Sequence, residues 1–173
     1  MAQKISQAIV RQAKEECAQD IYFVPKDDCY ELYMRIGDER RFIQTYDFDQ
    51  LAAVISHFKF LAGMNVGEKR RSQLGSCDYR YDDKETSIRL STVGDYRGYE
   101  SLVIRLLHDE ETELKFWFTH FPEFREKFKD RGLYLFSGPV GSGKTTLMHQ
   151  LAQLKFKGQQ VMSIEDPVEI KQE

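Results

Sequence analysis

The chain has 173 residues, of which 41% are hydrophobic and 31% charged, and its 25 basic and 28 acidic side chains leave a formal charge of −3. That length accommodates one ordinary domain or two very small ones, and the composition excludes a disordered chain, a collagen-like chain and a global nucleic-acid polycation. No apolar run reaches the roughly 18 residues of a membrane span, because Ser56, His57 and Lys59 break the greasiest stretch, and Lys4, Arg11, Lys14, Glu15 and Glu16 deny the N-terminus the apolar core of a signal peptide.

Residues 3 to 17 place Ile5, Ala8, Ile9, Ala13 and Cys17 at helical spacing, which predicts an amphipathic helix. Asp20 to Val24 and Cys29 to Ile36, rich in β-branched and aromatic residues and separated by Pro25 and Asp27-Asp28, read as a strand pair. Gly37-Asp38 permits another reversal into Arg41 to Tyr46. From Asp49 a second helical pattern carries Leu51, Ala52, Val54, Ile55, Phe58, Leu61 and Ala62 to Gly63, a plausible stop. Three strand-like runs follow, around Cys77 to Tyr81, Ser87 to Thr92 and Leu102 to Leu107, punctuated by Asp82-Asp83 and Gly94 to Gly98. Helices flanking a small, mostly antiparallel sheet are the sum.

An acidic break, Asp109, Glu110, Glu111 and Glu113, marks a domain boundary, so residues 1–110 are expected to form one small domain, 111–131 a linker with a short helix starting at Pro122, and 132–173 part of a second domain. Phe116, Trp117 and Phe118 read as packing aromatics. Leu133 to Phe136 is a continuous apolar run of the kind that forms a strand buried on both faces. A helix from about Gly143 to Lys157 and a second apolar strand, Gln160 to Ile164, would complete a β-α-β unit. Cys17, Cys29 and Cys77 are odd in number and lack metal-ligand or disulfide spacing, which predicts reduced, partly buried thiols of a cytosolic protein. The four histidines, His57, His108, His120 and His149, show no metal spacing and read as surface or packing residues.

Gly138 to Thr146 contains G-x-x-x-x-G-K-[ST] between an apolar run and a helix, the setting this motif requires. Gly138, Gly141 and Gly143 let the backbone turn its N–H groups, with that of Ser142, toward phosphate oxygens, and the helix beyond presents its positive end. Lys144 adds a full charge toward the β- and γ-phosphates of ATP, and the hydroxyl of Thr145, followed by Thr146, suits Mg²⁺. Glu165 and Asp166 emerge from the second apolar run, where carboxylates can assist at Mg²⁺ or orient water.

The motif at 138–146 and the segment Glu165-Asp-Pro-Val-Glu169 together resemble the phosphate loop and Asp box of the secretion ATPases that drive type II secretion and type IV pilus assembly. The resemblance covers almost the whole chain. Ala18 to Pro25 is similar to that family's S-D-I-H segment, with Tyr22 in the histidine's place. Lys69 to Gly75 is similar to its K-R-x-P-Q-x-G, with Ser72 for proline. Ser87 to Leu107 is similar to its R-x-S-T and G-E-x-x-V-x-R-L-L segments, which aligns Arg89, Glu100 and Arg105, although Tyr99 interrupts the Gly-Glu pair. The short N-terminus and Asp95-Tyr-Arg-Gly98 are most similar to the competence pilus ATPases of Gram-positive bacteria.

The resemblance implies an α/β protein: a PAS-like α+β domain followed by the first β-α-β part of a RecA-like nucleotide domain. It implies a homo-hexameric cytoplasmic motor, peripherally associated with the inner face of the membrane through a platform protein, with ATP bound between the two domains. Arg89 and Arg105 are the implied phosphate-contacting arginines and Arg97 a weaker candidate; Glu165 is the implied catalytic and metal-assisting carboxylate. Lys69-Arg70-Arg71 is a short cluster on an acidic chain without interleaved aromatics, so no direct nucleic-acid contact is expected. Because the Walker B carboxylate and histidine box of the family are absent, the chain alone is expected to hold ATP without the full hydrolytic machinery. The competing expectations are a non-hydrolytic docking fragment and a small phosphotransferase, whose lid and acceptor residues are not visible after Thr146.

Overall fold

A computed structural model describes residues 1–107, 126–129, 131–139 and 142–165. The chain divides into two compact units, Met1–Leu107 and His108–Glu173. The first unit runs α1 (Ala2–Glu15), β1 (Asp20–Pro25), β2 (Tyr30–Ile36), β3 (Glu39–Tyr46), α2 (Phe48–Leu61), β4 (Gln73–Tyr81), β5 (Lys84–Gly94) and β6 (Glu100–Leu106). All six strands pair antiparallel in the order β3-β2-β1-β6-β5-β4.

Strand alternation decides which face is dry. Ile21 and Phe23 of β1, Leu32 and Met34 of β2, Ile88 and Leu90 of β5 and Leu102, Ile104 and Leu106 of β6 are buried in one core with Ile9, Val10 and Ala13 of α1 and Leu51, Val54, Ile55 and Phe58 of α2. Both helices therefore cover one face of the sheet, and the other carries the intervening polar and aromatic residues. Within α1 the stripe is rotated from the expected one: Ser6 and Val10 are buried, and Ala8 and Cys17 are exposed. Cys17 differs because the helix has already ended. The N–H of Ala18 donates to the carbonyl of Ala13 at 2.8 Å and that of Cys17 to Lys14 at 3.2 Å, with Cys17 left-handed at φ +55°, a Schellman end that turns its thiol outward. Gly63 closes α2 in the same way at φ +67°, with Met64 N–H on the Lys59 carbonyl at 2.9 Å. Asp82 and Asp83, both at positive φ, form the two-residue turn between β4 and β5.

One charged pair is enclosed in this unit. Lys59 is fully buried, and its Nζ donates to Glu100 Oε1 at 2.5 Å and to the Glu68 carbonyl at 2.6 Å. The pair ties α2 and the start of β6 to the loop that precedes β4. That loop also lies against Gly94, where a Cβ would come within 2.1 Å of the Lys69 carbonyl oxygen. Lys69, Arg70 and Arg71 are exposed on it, with the backbone N–H groups of Arg70 and Arg71 held by the Glu68 carboxylate.

In the second unit the described helix is α3 (Lys144–Lys155). Phe128, Tyr134 and Phe136 pack together, with ring centroids 4.5 and 6.3 Å from Phe128, and line an apolar cleft with Met148, Leu151 and Ala152 of α3. The runs 133–136 and 160–164 are not paired strands. Leu133 and Leu135 are 96% and 89% exposed, Met162 and Ile164 85% and 97%. A strand exists only through a ladder to a neighbour, and neither run has one among the described residues, so the apolar pattern is present without the sheet it was expected to enter. The short helix expected from Pro122 falls largely outside the described residues.

Candidate functional site

The loop ahead of α3 is built by its small residues. A Cβ on Gly138 would meet Ser142 Oγ at 2.9 Å, so a side chain there would require Ser142 to shift. The Ser142 N–H returns to the Pro139 carbonyl at 3.3 Å, and Gly143 sits at φ +80° as the N-cap of α3. No side chain caps the helix and no acidic residue lies in its first turn, while the first helical bond runs from Leu147 N–H to the Gly143 carbonyl at 2.9 Å. The N–H groups at the start of α3 are thus not taken up by a cap, and the positive helix end favours an anion. Lys144 folds back over this loop, its Nζ donating to the Pro139 carbonyl at 2.5 Å. Thr145 and Thr146 lie half-buried in the first turn. Gly141 lies outside the described residues.

Glu165 is brought to α3 although it lies far along the chain from the loop. Its Oε1 is 3.6 Å from Nε2 of His149, and its Oε2 is buried with no hydrogen-bond partner among the described residues. His149 is buried, four residues after Thr145, which places both on the same helix face one turn apart. Of the surface and packing roles expected for it, His149 takes the buried one, and its nearness to Glu165 is a tertiary contact that sequence spacing does not signal. Asp166, Pro167 and Glu169 of the acidic segment, with His108, His120 and Phe116 to Phe118, lie outside the described residues.

In the first unit, Arg89 of β5 and Arg105 of β6 are cross-strand partners. Continuing across the sheet, Arg105 faces Asp20 of β1, Asp20 faces Arg35 of β2, and Arg35 faces Arg40 of β3. Side chains directly opposite in a sheet share a face, so four arginines and one carboxylate form a row on the face away from the helices. Arg105 Nε donates to Asp20 Oδ1 at 2.9 Å. Arg40 lies over the rings of Tyr22 and Tyr33, 4.9 and 4.3 Å from their centroids. Burial and the Asp20 carboxylate push the Tyr22 phenol above its ordinary value, keeping it a neutral donor to Asp20. No side-chain hydrogen bond or ion pair among the described residues involves Arg89. Arg97, in the β5–β6 loop, is engaged locally by Asp95 and Asp27, each at 2.9 Å. Glu100, aligned by motif, is the buried partner of Lys59.

Residues 1–173 match the family described as type II/IV secretion system protein. The chain belongs to that family. Competence protein ComGA of Streptococcus pneumoniae is 71% identical over 173 residues, covering 100% of this chain and 55% of that protein. Type II secretion system protein E of Xanthomonas campestris is 34% identical over 168 residues, covering 93% of this chain and 30% of that one. This type II/IV secretion system protein therefore spans about half the length of the first of these curated relatives and less of the second. Among solved structures, the ATPase DotB of Legionella pneumophila superposes with a TM-score of 0.66 at 14% identity, covering 84% of this chain and 40% of that one, a likeness of fold. Mixed α/β architecture is common to the expectation and the structure. No described helix is long and apolar enough to cross a membrane.

Proposed function

We propose that this chain supplies the ATP-holding part of a motor ATPase that powers a competence, type IV pilus-like or type II secretion apparatus. The observation that carries the reading is the start of α3: a left-handed Gly143, an uncapped helix end and Lys144 folded over the loop, within a chain whose relatives include a competence protein and a type II secretion protein. The loop amides and Ser142 cradle the phosphates, with Gly138, Gly141 and Gly143 giving the backbone its turns and Lys144 the charge. These residues fit a triphosphate because nothing in the first turn of α3 carries a competing negative charge.

Thr145 and Glu165 are the residues that would hold Mg²⁺, an ion that offsets charge on the phosphate oxygens when bound. The buried, unpartnered Oε2 of Glu165 fits that use. Arg89 and Arg105 are proposed to meet the phosphates as permanently charged forks, and Glu165 to orient water. The first unit is read as PAS-like and the second as RecA-like. Assembly as a homo-hexamer on a membrane platform protein, at the cytoplasmic face, belongs to the same proposal.

Binding of Mg-ATP by isothermal calorimetry to the chain and to Lys144→Ala tests the central claim. The variant is expected to bind roughly tenfold or more weakly, a difference of about 1.4 kcal/mol or more. Equal affinity for the two proteins removes the phosphate-loop assignment.

A further inference from the structure

Asp20 stands out on the arginine-bearing face because its side chain is only 3% exposed while the residues around it reach solvent. Its Oδ1 accepts from Arg105 Nε at 2.9 Å, its Oδ2 accepts from the Tyr22 hydroxyl at 3.3 Å, and Arg35 Nη1 lies 3.8 Å away. A buried carboxylate placed for stability alone is a poor device, since desolvation offsets most of the Coulombic gain. It does set direction. Nε is the guanidinium nitrogen nearest the backbone, and a short bond there fixes the plane of the whole fork. Arg105 in turn stands directly across from Arg89.

Charge and geometry pull in opposite senses at this position. Asp20 places a negative charge beside a strip meant to attract an anion, so on charge alone its removal should tighten phosphate binding. What the carboxylate offers in the strip is orientation, through its bond to Arg105 Nε. We propose that Asp20 is a positioning residue for nucleotide recognition, holding Arg105 by Nε so that the Arg105 and Arg89 pair meets phosphate oxygens in one fixed geometry. The proposal rests on the reading above that Arg105 contacts the nucleotide.

Its test is the Mg-ATP affinity of the 173-residue chain, Asp20→Asn, Arg105→Ala and the double variant, each first shown to unfold cooperatively in urea. Asp20→Asn and Arg105→Ala are each expected to weaken binding roughly tenfold, the scale of a lost charge-assisted hydrogen bond. The double variant should bind no more weakly than Arg105→Ala alone, because Asp20 acts through that arginine. Binding by Asp20→Asn as tight as or tighter than wild type, with Arg105→Ala still weakened, overturns the positioning role and leaves the nucleotide reading intact. A loss of the same size when Asp20→Asn is added to Arg105→Ala also overturns it, since the effect is then general damage to the fold. Arg105→Ala binding like wild type, or no binding by the wild-type chain, refutes the reading beneath. If Asp20→Asn does not fold, Asp20→Glu, which keeps the charge and moves it by one methylene, serves with the same outcomes.

Discussion

The two units treat apolar sequence in opposite ways. In the first, the alternating residues of β1, β2, β5 and β6 are buried against α1 and α2, and even a lysine is enclosed and paired. In the second, the apolar runs on either side of α3 stay largely exposed, and the helix buries little beyond His149 and Leu151. The phosphate loop nevertheless takes a defined shape, because glycine dihedrals, a helix start and a lysine reaching five residues back are local features. A sheet is non-local: its hydrogen bonds come from strands elsewhere in the chain or from another chain. An apolar run without them remains a surface able to attract one.

The largest expected effect breaks the enclosed side of this contrast. Lys59→Met leaves Glu100 buried without its cation and should lower the urea stability of the first unit by about 3 to 5 kcal/mol, whereas Lys59→Met combined with Glu100→Leu should recover most of that loss. Hydrogen exchange by mass spectrometry should show amides 144–155 unaffected by either variant; faster exchange there would join the two units into one cooperative block.

A smaller effect is expected at the open side. Gly143→Ala forces an L side chain to φ +80°, costing about 1 to 2 kcal/mol, and should speed amide exchange in the first turn of α3 and weaken Mg-ATP binding. The urea midpoint of the first unit should not move. Unchanged exchange at the start of α3 would mean that the left-handed glycine does not shape the loop.

The smallest effect is expected at two buried tyrosines and carries its own signature in alkali. Burial pushes the phenols of Tyr30 and Tyr79 up to about 12, and Tyr30 donates to the Glu100 carbonyl at 2.8 Å. Unfolded tyrosines lose their protons near pH 10 while these two keep theirs, so the unfolded state binds fewer protons and stability falls as pH rises from about 10 to 12. Tyr30→Phe should cost about 1 kcal/mol at neutral pH and flatten that alkaline fall. A fall as steep as in wild type would place the titration elsewhere.

Most elements of the first unit were legible in the residues. Gly63 announced the end of α2, Asp82-Asp83 the hairpin, and the β-branched runs the strands, because each is a local preference. The stripe on α1 was misjudged by one position, since Ala8 and Val10 have similar apolar character and only the packed sheet selects between them. Cys17 read as part of that stripe, but the Schellman end rotates it out. At the candidate site the loop residues were plain from their motif. The arginines were reached only through family resemblance, and nothing in their spacing reveals that Arg89, Arg105, Asp20, Arg35 and Arg40 share one row. That row depends on strand order, which brings residues 20, 35, 89 and 105 side by side from distant points in the chain.

The amino-acid order alone therefore determined what is short in range: helix starts and stops, turn positions, and a glycine-rich loop with its lysine. Tertiary structure decided which strand lies beside which, and so which charges meet. Asp20 and Arg105 are 85 residues apart, and only the pairing of β1 with β6 joins them. The converse holds for 133–136 and 160–164, where strand-forming residues are present but a sheet also requires a neighbouring backbone to satisfy its N–H and C=O groups.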